Sequence, residues 1–228
     1  MDGAVLACDS KETRANYYRF WPKVTFVGGS FVVLYAGNPT LGEVFARRVD
    51  SSIYRARRNG QIDRSKAAQL VDEVLLLLAK DAGEDAVKGR QIMIAGTADT
   101  SEVCLWSVDA GEIYLREMRN WECYGSGIDA AEMLMKDFYF PEVTTQQAIP
   151  LLACVIRSVS EICIDCGGPI SVIIVDQQGI KKLTSGEVKS ALKRLRPLLD
   201  RLRKELPRRV LRGEKVQLSH YMRKNELR

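Results

Sequence analysis

The apolar positions of this chain change period several times, and the changes mark its elements. Short apolar runs come first: Ala4 to Cys8 behind the turn dipeptide Asp2-Gly3, then Lys23 to Val27 and Ser30 to Gly37 on either side of Gly28-Gly29. Runs of this length bounded by glycine turns predict strands, the last two forming a hairpin. Past Asn38 the period becomes helical. Leu41, Val44, Phe45, Val49, Ile53 and Tyr54 recur on one face, Pro39 suits a first turn, and Asn59-Gly60 stops the run. Asp63 can cap a second helix through Ala67, Leu70, Val71, Val74, Leu75 and Leu78, ending before Gly83.

Strand patterning returns at Gln91–Ala95, Val103–Ser107 and Glu112–Arg116, an antiparallel meander divided by turn signals at 96–99 and 109–111. The loop Tyr124-Gly125-Ser126-Gly127 then precedes helices over about Asp129–Phe138 and Thr145–Ile164, with Thr144 or Thr145 as the cap of the second. The last strands, Ile170–Val175 and Ile180–Leu183, turn at Gln177-Gln178-Gly179. The order of strands, two helices, strands, two helices, strands predicts an α/β chain of the α+β kind. Two antiparallel sheets lie between helical layers, as a four-layer α/β/β/α sandwich.

Composition limits the chemistry such a fold can carry. The 228 residues, 46% of them hydrophobic, suffice to bury a full core, and the single histidine is His220. Histidine-activated nucleophiles and histidine-built metal sites are thereby disfavoured, which leaves acid–base work to Lys, Asp, Glu or a terminal amine. No cofactor and no metal are expected. No apolar run reaches membrane-spanning length and the start has no signal-peptide pattern, so a soluble cytoplasmic protein is expected. The six cysteines, at 8, 104, 123, 154, 163 and 166, show no disulfide-framework spacing and read as reduced thiols. Cys163-x-x-Cys166 stands without a second pair or a nearby histidine, so zinc or redox use is the lesser reading.

The net charge of +5 hides an asymmetry. From Lys181 onward sixteen Lys and Arg face five Asp and Glu, which leaves a mildly acidic body. The division expected is a domain over 1–183 and a basic helical extension over 184–228. Val188, Leu192, Leu195, Leu199, Leu202 and Leu206 form the stripe of that extension, interrupted at Pro197. A stripe of this kind needs burial on the body or on a neighbouring subunit. This ranks ahead of binding nucleic acid or an acidic partner, for which there is no motif, and ahead of docking to membrane.

An acid closing one strand and a lysine opening the next, Asp9 and Lys23, suggest a site. Asp2-Gly3-Ala4-Val5-Leu6-Ala7-Cys8-Asp9-Ser10, Lys23, Tyr35-Ala36-Gly37, Tyr124-Gly125-Ser126-Gly127 and Asp165-Cys166-Gly167-Gly168-Pro169 follow one another in order from Asp2 to about Leu183. As a colinear set they resemble the proteasome family of N-terminal-nucleophile hydrolases, beta-type or beta-like subunits. The resemblance implies threonine-dependent peptide-bond hydrolysis, in which the hydroxyl of an N-terminal threonine attacks and its own amine serves as base.

By the same resemblance Asp9 orients the site and Lys23 keeps the proton-transfer network electropositive. Gly37 offers an oxyanion-stabilising backbone N–H, Ser126 lies beside the terminal amine, and Asp165 holds the adjoining loop. Each also has a plain structural reading: a strand-end ion pair for Asp9 and Lys23, a helix cap for Ser126, tight turns for Asp165 and Gly37. Two departures stand out. Gly168 falls where the family has a second serine. The nucleophile is expected about eight residues ahead of Met1, on a strand that would pair with Ala4–Cys8. Cys8 as a substitute would require removing half of that strand.

The resemblance further implies self-association, or association with paralogous subunits, into a ring. The substrate would be a peptide or unfolded protein, and a regulatory ATPase is allowed as a partner. The alternative is a non-catalytic structural or gating subunit that keeps Asp9 and Lys23. A basic-tailed binding module ranks third.

Overall fold

The computed structural model describes residues 3–14, 17–84, 91–108 and 113–195. The chain runs β1 (Gly3–Cys8), β2 (Lys11–Arg14), β3 (Tyr17–Phe20), β4 (Val24–Val27), β5 (Phe31–Ala36), α1 (Pro39–Arg57) and α2 (Arg64–Ala82). It continues through β6 (Gln91–Thr97), β7 (Val103–Val108), β8 (Arg116–Glu117), α3 (Ile128–Phe138), α4 (Thr145–Ile162), β9 (Ser171–Asp176) and β10 (Gly179–Lys182). Residues 185–195 form one more helix, α5. Strands β4-β5-β6-β7-β8 make a five-stranded sheet, β1-β9-β10 a three-stranded one and β2-β3 a pair. This is the expected fold class of antiparallel sheets and paired helices.

Two compact units divide the chain. The first comprises 1–4, 20–125 and 173–182. Its five-stranded sheet is antiparallel throughout, with Val33 opposite Ile94 and Ile94 opposite Trp106. Helices α1 and α2 bury Phe45, Val49, Ile53, Val71 and Leu75 against these positions, and the Phe31 and Trp106 rings stack at 6.1 Å. Strands β5 and β7 are buried nearly end to end, which explains their continuous apolar runs. A sheet covered on both faces has no polar side to alternate with. In this unit β10 touches β6, and the Thr97 hydroxyl donates to the Asp176 carbonyl at 2.7 Å. Both long helices start on side-chain caps, Asn38 accepting from Thr40 N–H and Asp63 from Lys66 N–H.

The second unit comprises 5–19, 126–172 and 183–228. Helices α3 and α4 pack together in it, burying Ala131 and Met135 on one and Leu151, Val155 and Val159 on the other. Thr144 and Gln147 cap α4 reciprocally. Thr184 and Glu187 do the same for α5, which buries Val188, Ala191 and Leu195. Leu192, also in the expected stripe, is half-buried, and the remainder, Leu199, Leu202 and Leu206 with Pro197, lies outside the described residues.

Three expectations need correction. Of the strand expected over Glu112–Arg116, Glu112 lies outside the described residues and the strand observed is β8, Arg116–Glu117, because the Leu115 N–H goes to the Asp72 carboxylate at 2.9 Å and not to the sheet. Helix α4 stops at Ile162, two residues early, where Cys163 turns extended. Strands β2 and β3 were not expected at all. Lys11-Glu12-Thr13-Arg14 is polar throughout and offers no alternation to read.

Candidate active site

The first unit contains Lys23 and Gly37. Lys23 precedes β4, and its carbonyl accepts from the Tyr35 N–H at 3.3 Å. The Tyr35 phenol donates to the carbonyl of Pro22 at 3.1 Å. The ring itself lies over Gly42, where a Cβ would come within 2.4 Å of Tyr35 Cγ. Backbone and side chain of one residue thus fix the start of β4. Two residues past Tyr35, Gly37 takes φ +102°, a value side chains disfavour, and turns the chain from β5 toward the Asn38 cap of α1. Lys23 and Gly37 share one end of the β4–β5 hairpin.

A residue without an obvious sequence signal joins them there. Gln91 pairs with Ala36 across β5–β6, and its Oε1 accepts from the Gly125 N–H at 2.9 Å. The only mark of Gln91 in the sequence is its polarity at the start of an apolar strand. It anchors the loop that runs on into Ser126.

The second unit contains Asp9, Ser126 and Asp165. Asp9 follows β1, and its Oδ2 accepts from the Gly167 N–H at 2.7 Å. The Gly167 carbonyl in turn accepts from the N–H groups of Ser10 (3.2 Å) and Lys11 (3.0 Å). The Lys11 ammonium donates to the Ile164 carbonyl. Asp165 sits inside a turn closed by the Cys166 N–H on the Cys163 carbonyl at 3.1 Å. Asp9 and the Asp165 turn are therefore stitched together through backbone.

Ser126 does not cap α3. Gly127 occupies the N-cap position, and no side chain supplies a cap bond. Gly127 has a packing reason to lack a side chain, since a Cβ there would lie 2.4 Å from Val159 Cγ1 and 2.9 Å from Cys166 Sγ. Ser126 is held next to a glycine that seats the Cys166 thiol. Of the site residues expected from sequence, the structure groups Asp9, Ser126 and Asp165 in one unit and Lys23 and Gly37 in the other.

The groups with displaced titration lie elsewhere in the first unit. Burial pushes the Cys104 thiol up to about 11. Burial also acts to raise Asp99, but the Ile62 N–H, the Arg57 hydrogen bond and the Arg57 charge together hold it below its ordinary value. Among the described residues no three His, Cys, Asp or Glu side chains are placed to hold a metal ion. Among them too, no helix is long and apolar enough to cross a membrane.

The proteasome subunit family model matches residues 1–175. Proteasome subunit beta 1 of Thermococcus sibiricus is 25% identical over 199 residues, 85% of this chain and 91% of that protein. The proteasome subunit beta of Methanosarcina barkeri is 24% identical over 193 residues, 83% and 88% of the two chains. With most of its length matched by the family model, this chain belongs to the proteasome subunit family, as a beta-type member.

Proposed function

We propose that this subunit carries out threonine-type peptide-bond hydrolysis within a proteasome-like ring, using a nucleophile on residues ahead of Met1. The observation that carries the reading is the Asp9 carboxylate bound to the Gly167 N–H, on the turn that also holds Asp165. An acid at the end of a half-buried strand, anchored by backbone, is a preorganised electrostatic group. Among the described residues β1 ends the order β1-β9-β10, which also supports it, since a preceding strand would have an edge to join.

In this reading the terminal threonine hydroxyl attacks the substrate carbonyl and passes its proton to the terminal amine. By the resemblance, Asp9 orients the site, Lys23 keeps the proton-transfer network electropositive, the Gly37 N–H stabilises the oxyanion, Ser126 lies beside the amine and Asp165 holds the adjoining loop. The substrate is a peptide or unfolded protein, the ring partners are further copies or paralogues, and a regulatory ATPase feeds the ring. The expected compartment is the cytoplasm.

One observation favours a second reading, a non-catalytic structural or gating subunit. Gly168 removes a hydroxyl from the polar network that the amine would use. Terminal sequencing and intact mass of the protein from its native host, followed by assay on fluorogenic peptides, decide between the two. A mature chain opening on Thr, Ser or Cys ahead of Met1 is expected, with hydrolysis blocked by threonine-directed inhibitors. Lys23→Ala should then lower the rate by roughly a hundredfold or more. A mature chain beginning at Met1 or Asp2, inert toward peptides, would leave the structural subunit as the function.

A further inference from the structure

The site described above does not use the thiols of Cys163 and Cys166, yet they occupy the turn that binds Asp9. The Cys166 N–H closes that turn on the Cys163 carbonyl at 3.1 Å. A turn closed in this way brings its first and fourth Cα atoms within about 7 Å. A disulfide requires roughly 4.4–6.8 Å between the same atoms, so little backbone movement separates the dithiol from the bridged form. Both thiols are half-buried, and no disulfide joins them in this structure. The turn is open to small reagents, because its flanking Ile162 and Ile164 are 68% and 83% exposed.

The position of Cys166 gives the pair its leverage. Its Sγ lies 2.9 Å from where a Cβ on Gly127 would sit, one residue from Ser126. Its chain neighbours are Asp165 and Gly167, the latter being the residue whose N–H binds Asp9. Drawing Cys166 Sγ toward Cys163 withdraws it from Gly127 and rotates the peptide that leads into Gly167. Every candidate residue of the second unit adjoins that movement.

We propose that Cys163 and Cys166 form a reversible disulfide that shifts the Asp165–Gly167 turn and weakens its hold on Asp9. The oxidant is a low-molecular-weight disulfide of the glutathione class. One thiolate of the pair attacks a sulfur of that disulfide, forming a mixed disulfide and expelling one small thiolate. The second protein thiolate attacks the protein-side sulfur, forming the Sγ–Sγ bond and expelling the other. The pair gives up two electrons and two protons. The electrons reduce the small disulfide, and the protons go to the two thiols released. No other two cysteines stand three positions apart in the sequence, and Cys104 and Cys154 are buried.

The thiol chemistry is independent of the function proposed above, whereas its effect on hydrolysis rests on that reading. The test equilibrates the full chain in oxidised and reduced glutathione, maps disulfides by non-reducing peptide mass analysis, and follows amide exchange at Gly167. The expected result is a peptide linking Cys163 to Cys166, lighter by two hydrogens, with roughly tenfold faster exchange at Gly167 in the oxidised form. Cys163→Ser should abolish both changes and leave hydrolysis under reducing conditions intact. It spares the packing of Cys166, so a folding defect does not confuse the outcome. Failure of this pair to bridge, or bridging without a change at Gly167, overturns the proposal. Bridging with faster exchange in a protein that never hydrolyses peptides upholds the switch and overturns the catalytic reading alone.

Discussion

Asp9 shows how one side chain can be read in two ways that a substitution separates. Its carboxylate satisfies the Gly167 N–H, so Asp9→Ala leaves that donor without its partner and should lower stability by about 1–3 kcal/mol in urea unfolding. Asp9→Asn retains an acceptor oxygen and should recover most of that loss, while hydrolysis stays depressed because the charge is gone. A variant that recovers both would reduce Asp9 to a structural tie. Asp99 allows a second test at this scale, because its carboxyl is held below its ordinary value. A group depressed on folding adds stability above its unfolded pKa and loses it as pH falls through the folded one. Asp99→Asn should therefore destabilise the protein at neutral pH and flatten the decline of stability with acid, as measured by urea midpoints across the acid range. The sequence marks Asp9 because an acid ends an apolar run. It does not mark Gly167 as the partner, because a hydrogen bond between residues 158 positions apart leaves no local trace.

Element boundaries follow the supply of hydrogen-bond partners, which periodicity registers only in part. The starts of α1, α2 and α4 are legible because Asn38, Asp63 and Thr144 announce caps that the structure uses. The short β8 is not, since the Asp72 carboxylate takes the Leu115 N–H and pattern alone cannot see a competitor from another helix. Strand β2 escapes for the opposite reason, pairing with β3 through its backbone without any apolar alternation of its own. Gly42 in α1 shows two scales in conflict. Helix propensity favours alanine over glycine by about 1 kcal/mol. Against that, a Cβ would enter the Tyr35 ring at 2.4–2.7 Å and push the phenol from the Pro22 carbonyl. Overpacking of this kind costs about 1–3 kcal/mol, so Gly42→Ala should be net destabilising. Tyr35→Phe should cost about 1 kcal/mol. Because both act on the start of β4, the double variant should fall short of the sum, which a double-mutant cycle of urea midpoints would reveal.

For the molecule as a whole, the fold class is legible because the succession of periods reports which surfaces face apolar neighbours, but charge is distributed without regard to those elements. Residues 196–228 hold eleven Lys and Arg against four Asp and Glu, so residues 1–195 hold 23 and 25 and carry −2 of the chain's +5. Helix α5 ends before Arg196, with Val188, Ala191 and Leu195 buried. A chain ending at Leu195 keeps those contacts and lacks most of the basic surplus. Its behaviour toward polyanions should differ. On the third reading, the basic-tailed binding module, the full chain would bind duplex DNA at low salt without sequence preference. Its affinity should fall steeply with added salt, by a slope of roughly −0.9 for each phosphate neutralised, and the shortened chain should not bind. A sequence preference or binding that survives salt would need more than point charges and would raise the binding-module reading above the other two. Loss of binding in the full chain once the subunits associate would instead show the basic segment occupied by the acidic surfaces of its own particle, an arrangement the opposite charges of body and tail favour.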